Sequence, residues 1–409
     1  MNKTPTLCLV LATVFLLLAI ASPTAQAQFS VLHTFTGGGD GGNPEAGVTY
    51  RGGTLYGTTS AGGTGYGTVY ETFRSGSNWF TLPIYLFHGS DGANPAARVV
   101  FGPDGHLYGT TMAGGIAWGV VFDLIPPLTV CKTANCSWKE NVLYRFPYGS
   151  DGAVPGYGDL TWDQQHNIYG TTVYGGAGPG YGTAYELTCS GNNCTDLILH
   201  GFSGPDGAYP ENGVIFDPSF SNLFGTTSQG GVHSDGEVFE LTAFGNEWLE
   251  TNAYNFQGAA DGRYPFAGVV MDASGDLFGA TTDGGMNGGG TVFELTPSGD
   301  TYSFILIYSF TGQLGNECGP WASLTLDTNT GDLYGTTKCD GVNGHGNIFK
   351  LTKVGDTWIY TDLYDFMGGN DGANPISNVT IDPTDGKTLY GTASGGGSQN
   401  VGVVWMIKQ

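Results

Sequence analysis

One five-residue pattern, Leu-Tyr-Gly-Thr-Thr with small variations, recurs seven times along this chain of 409 residues. Successive copies start 52 to 61 residues apart, at Leu55, Leu107, Ile168, Leu223, Leu277, Leu333 and Leu389. A repeat of this period is typical of solenoids and propellers, which use one supersecondary unit many times. The pattern therefore predicts seven copies of one structural unit, and it indicates architecture far better than activity.

The fifth copy shows what one unit contains. Four short apolar segments, A to D, are separated by turn signals rich in Gly, Ser, Pro and Asp. The predicted strands cover residues 267–272, 277–282, 290–295 and 304–310. Four short antiparallel strands in about 55 residues are the content of one propeller blade.

Two aromatic positions are filled in every copy. Segment C carries an aromatic residue at Tyr70, Phe122, Tyr185, Phe239, Phe293, Phe349 and Trp405. Segment D ends in a phenylalanine, at Phe35, Phe87, Phe146, Phe202, Phe256, Phe310 and Phe366, and a proline follows eight to ten residues later. Large apolar residues in register predict layers between adjacent blades, where both faces of each sheet are buried.

The two ends of the repeat array complement each other. A D segment at 29–35 precedes the first A segment, whereas the last copy has A (378–382), B (389–393) and C (401–407) but no D. An open solenoid would leave two unpaired edges and would need capping units. We therefore predict an all-β fold, a seven-bladed β-propeller of four-stranded antiparallel blades, closed by the N-terminal strand completing the last blade.

The repeat also resembles a known family. Its elements are a Phe-x-Gly-x-Asp-Gly-x-x-Pro loop, Leu-Tyr-Gly-Thr-Thr, a Gly-Gly pair and Gly-Thr-Val-Phe-Glu-Leu. This combination is similar to the GloVer tandem repeat of exported bacterial surface proteins, and the resemblance covers all seven copies. It implies an extracellular location and a propeller-like fold, and it supplies no catalytic residues.

The N-terminal segment is predicted to be a signal peptide. Lys3 precedes an apolar run at 7–21, and a polar stretch ends in Ala25-Gln26-Ala27. The run of 15 residues is shorter than the roughly 20 that a spanning helix needs. We expect residues 1–27 to be cleaved and residues 28–409 to form one propeller domain. The protein should then be secreted or held at the periplasm or cell surface, without membrane insertion.

Six cysteines follow the signal peptide, and they fall into short local spacings. An even number of cysteines in an exported protein favours disulfides over a zinc or haem site, and there is no CxxC motif. The predicted pairs are Cys131 with Cys136, Cys189 with Cys194, and Cys318 with Cys339.

The charge of the chain limits its partners. The formal net charge is -23 with only 13 Lys and Arg residues, whereas nucleic acids and anionic membranes require clustered basic residues. We therefore exclude nucleic acid and expect a monomer that binds an extracellular glycan or protein.

Acidic D-to-A loops are the first candidate site. In a four-stranded blade these loops share one face of the disc with the B-to-C loops, which carry the glycine pairs. The loop carboxylates are Asp40, Asp91, Asp151, Asp206, Asp261 and Asp371. They could form a ring around the channel mouth that binds calcium or a polar ligand, although calcium needs six to eight oxygen ligands. Alternatively, each carboxylate closes its own turn by accepting backbone N–H bonds.

The sixth copy favours the turn interpretation. There Asn316 replaces the aspartate, which keeps the hydrogen-bonding capacity and loses the charge. Cys318 and Cys339 lie in the D-to-A and B-to-C loops of this copy, so a disulfide would substitute for the acidic loop. No cofactor is expected, with calcium as the one candidate.

Aromatic side chains are the second candidate. Trp79, Trp138, Trp248, Tyr302 and Trp358 each stand eight residues before the phenylalanine of segment D. They could form a stacking platform for sugars, or they could cover the blade edge. Trp118 and Trp162 are outside this register and would be better ligand candidates if exposed on the loop face.

No catalytic signature is present in the sequence. There is no GxSxG motif and no sialidase box, and the seven histidines do not recur at one repeat position. The segment C carboxylates Glu71, Asp123, Glu186, Glu240 and Glu294 recur, whereas an active site should be asymmetric. We predict a non-catalytic binding or surface-interaction propeller. The alternatives are a polysaccharide hydrolase or lyase with an acidic site at the channel mouth, and a purely structural surface repeat. A carboxylate pair with a raised pKa in one sector of the channel would favour the enzyme.

Overall fold

Seven antiparallel sheets form the ring of a propeller, and the predicted fold class is confirmed. The computed structural model describes residues 27–115, 118–127, 138–191, 193–245, 247–299, 301–312 and 317–409. In this part of the chain, 29 strands are grouped in one sheet per blade, with strand order A-B-C-D from the channel outwards. The predicted signal peptide, except Ala27, lies outside the described residues and stays a prediction.

The innermost strands, A, are two or three residues long. They are β2 (Thr49–Arg51), β6 (Val100–Phe101), β11 (Thr161–Trp162), β15 (Ile215–Phe216), β19 (Val270–Met271), β23 (Thr325–Leu326) and β27 (Thr380–Ile381). The B strands carry the Leu-Tyr-Gly-Thr-Thr pattern. They are β3 (Thr54–Thr59), β7 (Leu107–Thr111), β12 (Ile168–Tyr174), β16 (Asn222–Thr227), β20 (Leu277–Thr281), β24 (Leu333–Thr337) and β28 (Thr388–Ala393).

The C and D strands form long outer hairpins. The C strands are β4 (Thr68–Ser75), β8 (Val120–Ile125), β13 (Thr183–Ser190), β17 (Glu237–Phe244), β21 (Thr291–Ser298), β25 (Asn347–Val354) and β29 (Val403–Lys408). The D strands are β5 (Asn78–Leu86), β9 (Lys139–Arg145), β14 (Asn193–Gly201), β18 (Glu247–Asn255), β22 (Thr301–Ser309), β26 (Thr357–Asp365) and β1 (Gln28–Thr34). Blade 3 adds a 3-10 turn at Gly149–Asp151 and a short strand, β10 (Ala153–Pro155), paired with β12.

Strand boundaries differ from the prediction in the inner strands and in these hairpins. Strand A of blade 5 covers only Val270–Met271 and not 267–272. In blade 5, strand C runs on to Ser298 and strand D begins at Thr301, so Pro297 lies inside the ladder opposite Tyr302. Proline is tolerated near a strand end, where few ladder bonds are lost. The predicted turn at 297–300 was therefore too long.

The N-terminal strand closes the ring as predicted. β1 pairs antiparallel with β29 from Gln28 opposite Lys408 to Thr34 opposite Val403, with an irregularity between Val31 and His33. Blade 7 thereby gains its fourth strand from the other end of the chain, and the ring has no unpaired junction between its first and last repeats.

The glycine of the repeat pattern makes room for an aromatic ring. In each blade this glycine lies opposite the strand C aromatic residue, as Gly225 lies opposite Phe239. A Cβ atom at Gly225 would lie only 2.4 Å from Cζ of Phe239. The small residue is therefore required by packing within the blade.

The first threonine of the pattern joins neighbouring blades. Its hydroxyl donates to a backbone carbonyl in the next blade at 2.7 to 2.9 Å in five copies, namely Thr58 to Ala97, Thr171 to Asn212, Thr226 to Ala267, Thr336 to Ser377 and Thr392 to Ala46. Blade 5 has Ala280 at this position. In blade 2 the hydroxyl of Thr110 is buried without a partner among the described residues.

Phenylalanines of strand D fill the space between blades, as predicted. Each packs at 5.1 to 6.3 Å, between ring centroids, on the strand C aromatic residue of the next blade; the pairs are Phe35–Tyr70, Phe87–Phe122, Phe146–Tyr185, Phe202–Phe239, Phe256–Phe293, Phe310–Phe349 and Phe366–Trp405. All seven phenylalanines are buried, and burial of each stabilises the fold by about 2 kcal/mol.

Candidate functional site

The D-to-A and B-to-C loops meet on one face of the disc, which we call the loop face. For example, the backbones of Gly42 and Ala61 pair in blade 1, and those of Ala93 and Ala113 pair in blade 2. This contact brings the acidic loops beside the glycine pairs, as the blade topology predicts.

The six loop aspartates are held by the outermost strand. Each accepts a hydrogen bond at 2.6 to 3.1 Å from a Tyr or His two residues before the strand D phenylalanine: His33 to Asp40, Tyr85 to Asp91, Tyr144 to Asp151, His200 to Asp206, Tyr254 to Asp261 and Tyr364 to Asp371. Sequence reasoning missed these donors, although a Tyr or His fills this position in all seven copies.

Five of these aspartates also close their loop through a backbone donor. The amides of Thr36, His88, Ser203, Gln257 and Met367 donate to the carboxylates at 2.7 to 3.0 Å. Burial opposes ionisation of Asp91, but hydrogen bonds from Tyr85 and His88 lower its pKa overall. Because the donors lie on strand D, the carboxylates lie towards the outer edge of the loop face and do not form a ring around the channel mouth. Their backbone donors match the alternative that the sixth copy favoured, in which each carboxylate closes its own turn.

One of the six carboxylates lies close to other potential metal ligands. Ligand atoms of His200, Asp206 and Glu250 lie within 4.8 Å of one another. A second such group, Asp104, His106 and Asp123, includes a strand C carboxylate, and His106 Nδ1 lies 2.7 Å from Asp123 Oδ2. Calcium binding at the loop face stays a prediction.

Two of the three predicted disulfides are confirmed. Cys189 and Cys194 join the C–D hairpin of blade 3, and Cys318 and Cys339 join the two loops of blade 6. The second pair occupies the positions that Ala93 and Ala113 hold in blade 2. Cys131, Cys136 and Asn316 lie outside the described residues.

The five strand D aromatic residues lie between blades. Each ring contacts the second residue of the repeat pattern in the preceding blade at 5.9 to 6.4 Å between centroids: Trp79 on Tyr390, Trp138 on Tyr56, Trp248 on Tyr169, Tyr302 on Phe224 and Trp358 on Phe278. This placement matches the interpretation that they cover the blade edge. Trp162 packs on Tyr108, whereas Trp118 is 43% exposed on the loop face.

The mouth of the central channel is the most asymmetric part of the loop face. A small depression with a cavity volume of about 40 Å³ lies there. Every blade contributes at least one lining residue, taken from the segment after the loop proline; these residues are Glu45, Ala46, Ala96, Tyr157, Asn212, Phe266, Trp321, Ala322, Ile376 and Asn378. Equivalent backbone positions thus carry acidic, amide, aromatic and aliphatic side chains.

An aromatic stack forms one wall of the mouth. The rings of Phe266 and Trp321 are nearly parallel, with 4.6 Å between their centroids. Lys338 Nζ lies 3.8 Å from the centroid of Trp321, and the indole N–H donates to the carbonyl of Glu317 at 3.1 Å. The disulfide between Cys318 and Cys339 joins the loop that carries Trp321 to the loop that carries Lys338, so it supports this wall.

Glu45 and Tyr157 form the other wall, and the backbone amide of Tyr157 donates to the carbonyl of the neighbouring Glu211 at 2.7 Å. Burial raises the pKa of Glu211 to about 7, and burial also raises that of Glu45, whose Oε1 accepts a hydrogen bond from Ser60 at 2.7 Å. Burial and the negative charges of Glu45 and Glu211 raise the pKa of Tyr157. Below the mouth, an ion pair between Arg98 and Asp159 lines the channel.

Sequence reasoning missed this site because it searched the recurring positions. The available signal was variation: the residue after the loop proline is different in nearly every copy, namely Glu45, Ala96, Gly156, Glu211, Phe266, Trp321 and Ile376. A position that varies inside an otherwise regular repeat is not fixed by the packing of the blade, so it indicates where the seven blades present different side chains.

Sequence comparison assigns the chain to a family. The profile of the Gloeobacter/Verrucomicrobia repeat matches residues 19–177, 129–318 and 253–409. The chain belongs to this family. No curated protein matches the sequence.

Solved structures similar to this member of the Gloeobacter/Verrucomicrobia repeat family share its fold. One is PorZ, a surface component of the type-IX secretion system of Porphyromonas gingivalis, with a TM-score of 0.53, 14% identity and coverage of 90% of this chain and 46% of PorZ. The chain thus spans about half the length of PorZ. Another is an ulvan lyase of family PL25, bound to a GlcA–Rha3S saccharide, with a TM-score of 0.52, 10% identity and coverage of 89% and 92%. Within the described residues, no helix has the length and hydropathy needed to span a membrane.

Proposed function

We propose that this protein is an exported surface-interaction propeller that binds a polysaccharide at the mouth of its channel. The observation that carries the proposal is the asymmetric wall chemistry of the mouth, where the Phe266–Trp321 stack, Glu45, Tyr157 and Asn212 line one depression. Aromatic rings pack against the apolar faces of sugar rings, and carboxylates and amides bind their hydroxyl groups.

Three further observations support an extracellular binding role. The two disulfides favour an oxidising compartment, and the strongly acidic charge does not suit nucleic acid. The fold is also shared with a secretion-system surface component and with a polysaccharide lyase. The occupant of the mouth would be a glycan and the protein a monomer, with no membrane insertion.

A glycan array probed with the purified protein, with and without calcium, tests the proposal. We expect binding of at least one polysaccharide, and Phe266→Ala should weaken it by about tenfold because one stacking face is removed. Phe244→Ala is the matched control, because Phe244 is 78% exposed on the C–D hairpin of blade 4, away from the loop face. Absence of binding to every glycan, or equal loss in both variants, would refute the proposal.

A catalytic role at the same mouth is the second candidate. The observation that favours it is Glu211, whose pKa of about 7 suits a group that gains or loses a proton near neutral pH. Glu45 and Tyr157 would be its neighbours in a hydrolase or lyase. Product analysis of each bound polysaccharide decides between the roles: new chain ends that disappear in Glu211→Gln would establish catalysis, and intact polymer would establish binding alone.

A further inference from the structure

The loop between blades 2 and 3 departs from the other six. Two residues after the strand D phenylalanine, the other loops have a glycine with φ between 60° and 104°; these are Gly37, Gly89, Gly204, Gly258, Gly312 and Gly368. The loop between blades 2 and 3 has Tyr148 there, with φ 69° and ψ -175°. Only glycine adopts this backbone region without strain.

Val154, the residue before the loop proline, has φ 57°, and its amide donates to the carbonyl of Trp118 at 2.8 Å. This conformation belongs to the repeat, because the equivalent residues of five other loops have φ between 52° and 58°, namely Asn43, Asn94, Tyr209, Tyr264 and Asn374. The hydrogen-bonding of the loop carboxylate does differ. Pro147 precedes Tyr148 and has no N–H, so Asp151 lacks the backbone donor found in the five other acidic loops and accepts instead from Tyr144 and Ser150.

The strained backbone at Tyr148 places its ring beside that of Trp118. Tyr148 and Trp118 lie with 5.0 Å between their ring centroids and 41° between their planes. Both remain exposed, at 47% and 43%. The gain from one exposed aromatic contact and the cost of the strain at Tyr148 are of similar size, so the pair adds little net stability to the fold.

A third exposed ring lies on the same face, in blade 3. A Cβ atom on Gly180 would lie 3.8 Å from the hydroxyl of Tyr148, which places Tyr148 over the B-to-C loop of blade 3. Tyr174, at the end of β12 in this blade, is 45% exposed and contacts Tyr209 at 5.5 Å between centroids. Burial and the charge of Glu211 raise the pKa of Tyr174.

We propose that Trp118 and Tyr148 form an outer subsite that stacks on a pyranose ring of the same polysaccharide chain that enters the channel mouth. The subsite rests on the proposed function and specifies it: the protein binds an extended chain across the loop face, from blade 2 to the channel. Two exposed rings held at an angle offer apolar faces to a sugar, and their strained support fixes them before the ligand arrives.

Affinity gel electrophoresis tests the subsite, with ulvan, alginate and pectin as acidic probes and laminarin and xylan as neutral probes. We expect at least one probe to retard the protein, and Trp118→Ala and Tyr148→Gly each to weaken this binding by about fivefold. Tyr148→Gly is informative because it restores the residue found in the other six loops; it should fold at least as stably, with an unchanged or higher Tm.

Matched variants separate the subsite from the mouth. Phe80→Ala removes an exposed aromatic ring on β5 and should leave retardation unchanged. If Phe266→Ala weakens binding and both subsite variants bind as the wild type does, the subsite is refuted and the proposed function stands. If no probe retards the wild-type protein, both are refuted.

Discussion

Thr392 Oγ1 in the last blade donates a hydrogen bond to the carbonyl of Ala46 in the first blade, at 2.8 Å and across 346 positions of the chain. The same bond joins consecutive blades elsewhere in the ring, for example Thr226 to Ala267 at 2.9 Å. The closing junction is therefore built like the junctions between sequence neighbours, which explains why β1 can complete blade 7 without a special closing element.

The threonine hydroxyl gives a test with an internal control. Thr226→Val leaves the buried carbonyl of Ala267 without its donor, and we expect a loss of about 1–2 kcal/mol in the free energy of unfolding. Thr110 is equivalent in sequence, but its buried hydroxyl has no partner in the described part of the chain. Thr110→Val should be neutral or stabilising. Urea unfolding of both variants measures the difference, and equal losses would contradict it.

The two disulfides should differ in their effects on the fold and on the loop face. Cys318 and Cys339 are 21 residues apart, whereas Cys189 and Cys194 are 5 apart. Replacing Cys318 and Cys339 by serine should cost about 3 kcal/mol, and replacing Cys189 and Cys194 about 2 kcal/mol.

Only the first replacement should change the loop face, because Cys318 and Cys339 flank the contact of Trp321 with Lys338. Thermal unfolding and tryptophan fluorescence check both expectations. A fluorescence change of the same size in both double variants would argue against the supporting role of the blade 6 disulfide.

Glu211 should make stability depend on pH. Its folded-state pKa of about 7 is above the ordinary value of 4.5 because burial disfavours the carboxylate. The stability that the bound proton contributes is fully present below about pH 4.5 and is lost as the pH rises through 7. Glu211→Gln has no such loss, so its Tm relative to the wild type should increase between pH 4.5 and 7 and stay constant above.

The exposed Glu247→Gln serves as the control for this pH dependence, and its Tm should follow that of the wild type at every pH. A constant difference between Glu211→Gln and the wild type from pH 4 to 9 would show that Glu211 titrates normally in the folded protein.

Several features of this fold could be predicted because they depend on local, repeated patterns. The strand D phenylalanine and the strand C aromatic residue recur in register. Their contact between neighbouring blades therefore follows once the blades are arranged in a closed propeller. The pairing of Cys318 with Cys339 was predicted from the local spacing of the cysteines, and the placement of both loops on one face agrees with it. The predicted strand ends were less accurate, as at Pro297. The hydrogen-bonded ladder continues as far as the backbone geometry allows, even through residues whose composition is typical of turns.

Other features depended on contacts between elements, which the sequence alone does not show. The sequence favoured a turn-closing role for the loop aspartates, but it did not show that tyrosines and histidines of strand D hold them at the outer edge of the loop face. The strain at Tyr148 was also not apparent, since a tyrosine carries no signal of its backbone angles until the equivalent glycines of the other loops are aligned with it.

The sequence by itself determined the unit, the number of units and the closure of the ring, because each copy repeats the same short-range contacts and the two ends supply complementary strands. Only the tertiary structure decided where the copies act together. The lining residues of the channel mouth, among them Glu45 in blade 1 and Asn378 in blade 7, meet at one depression because the ring brings one segment of every blade to a common axis. Their combined chemistry exists only there.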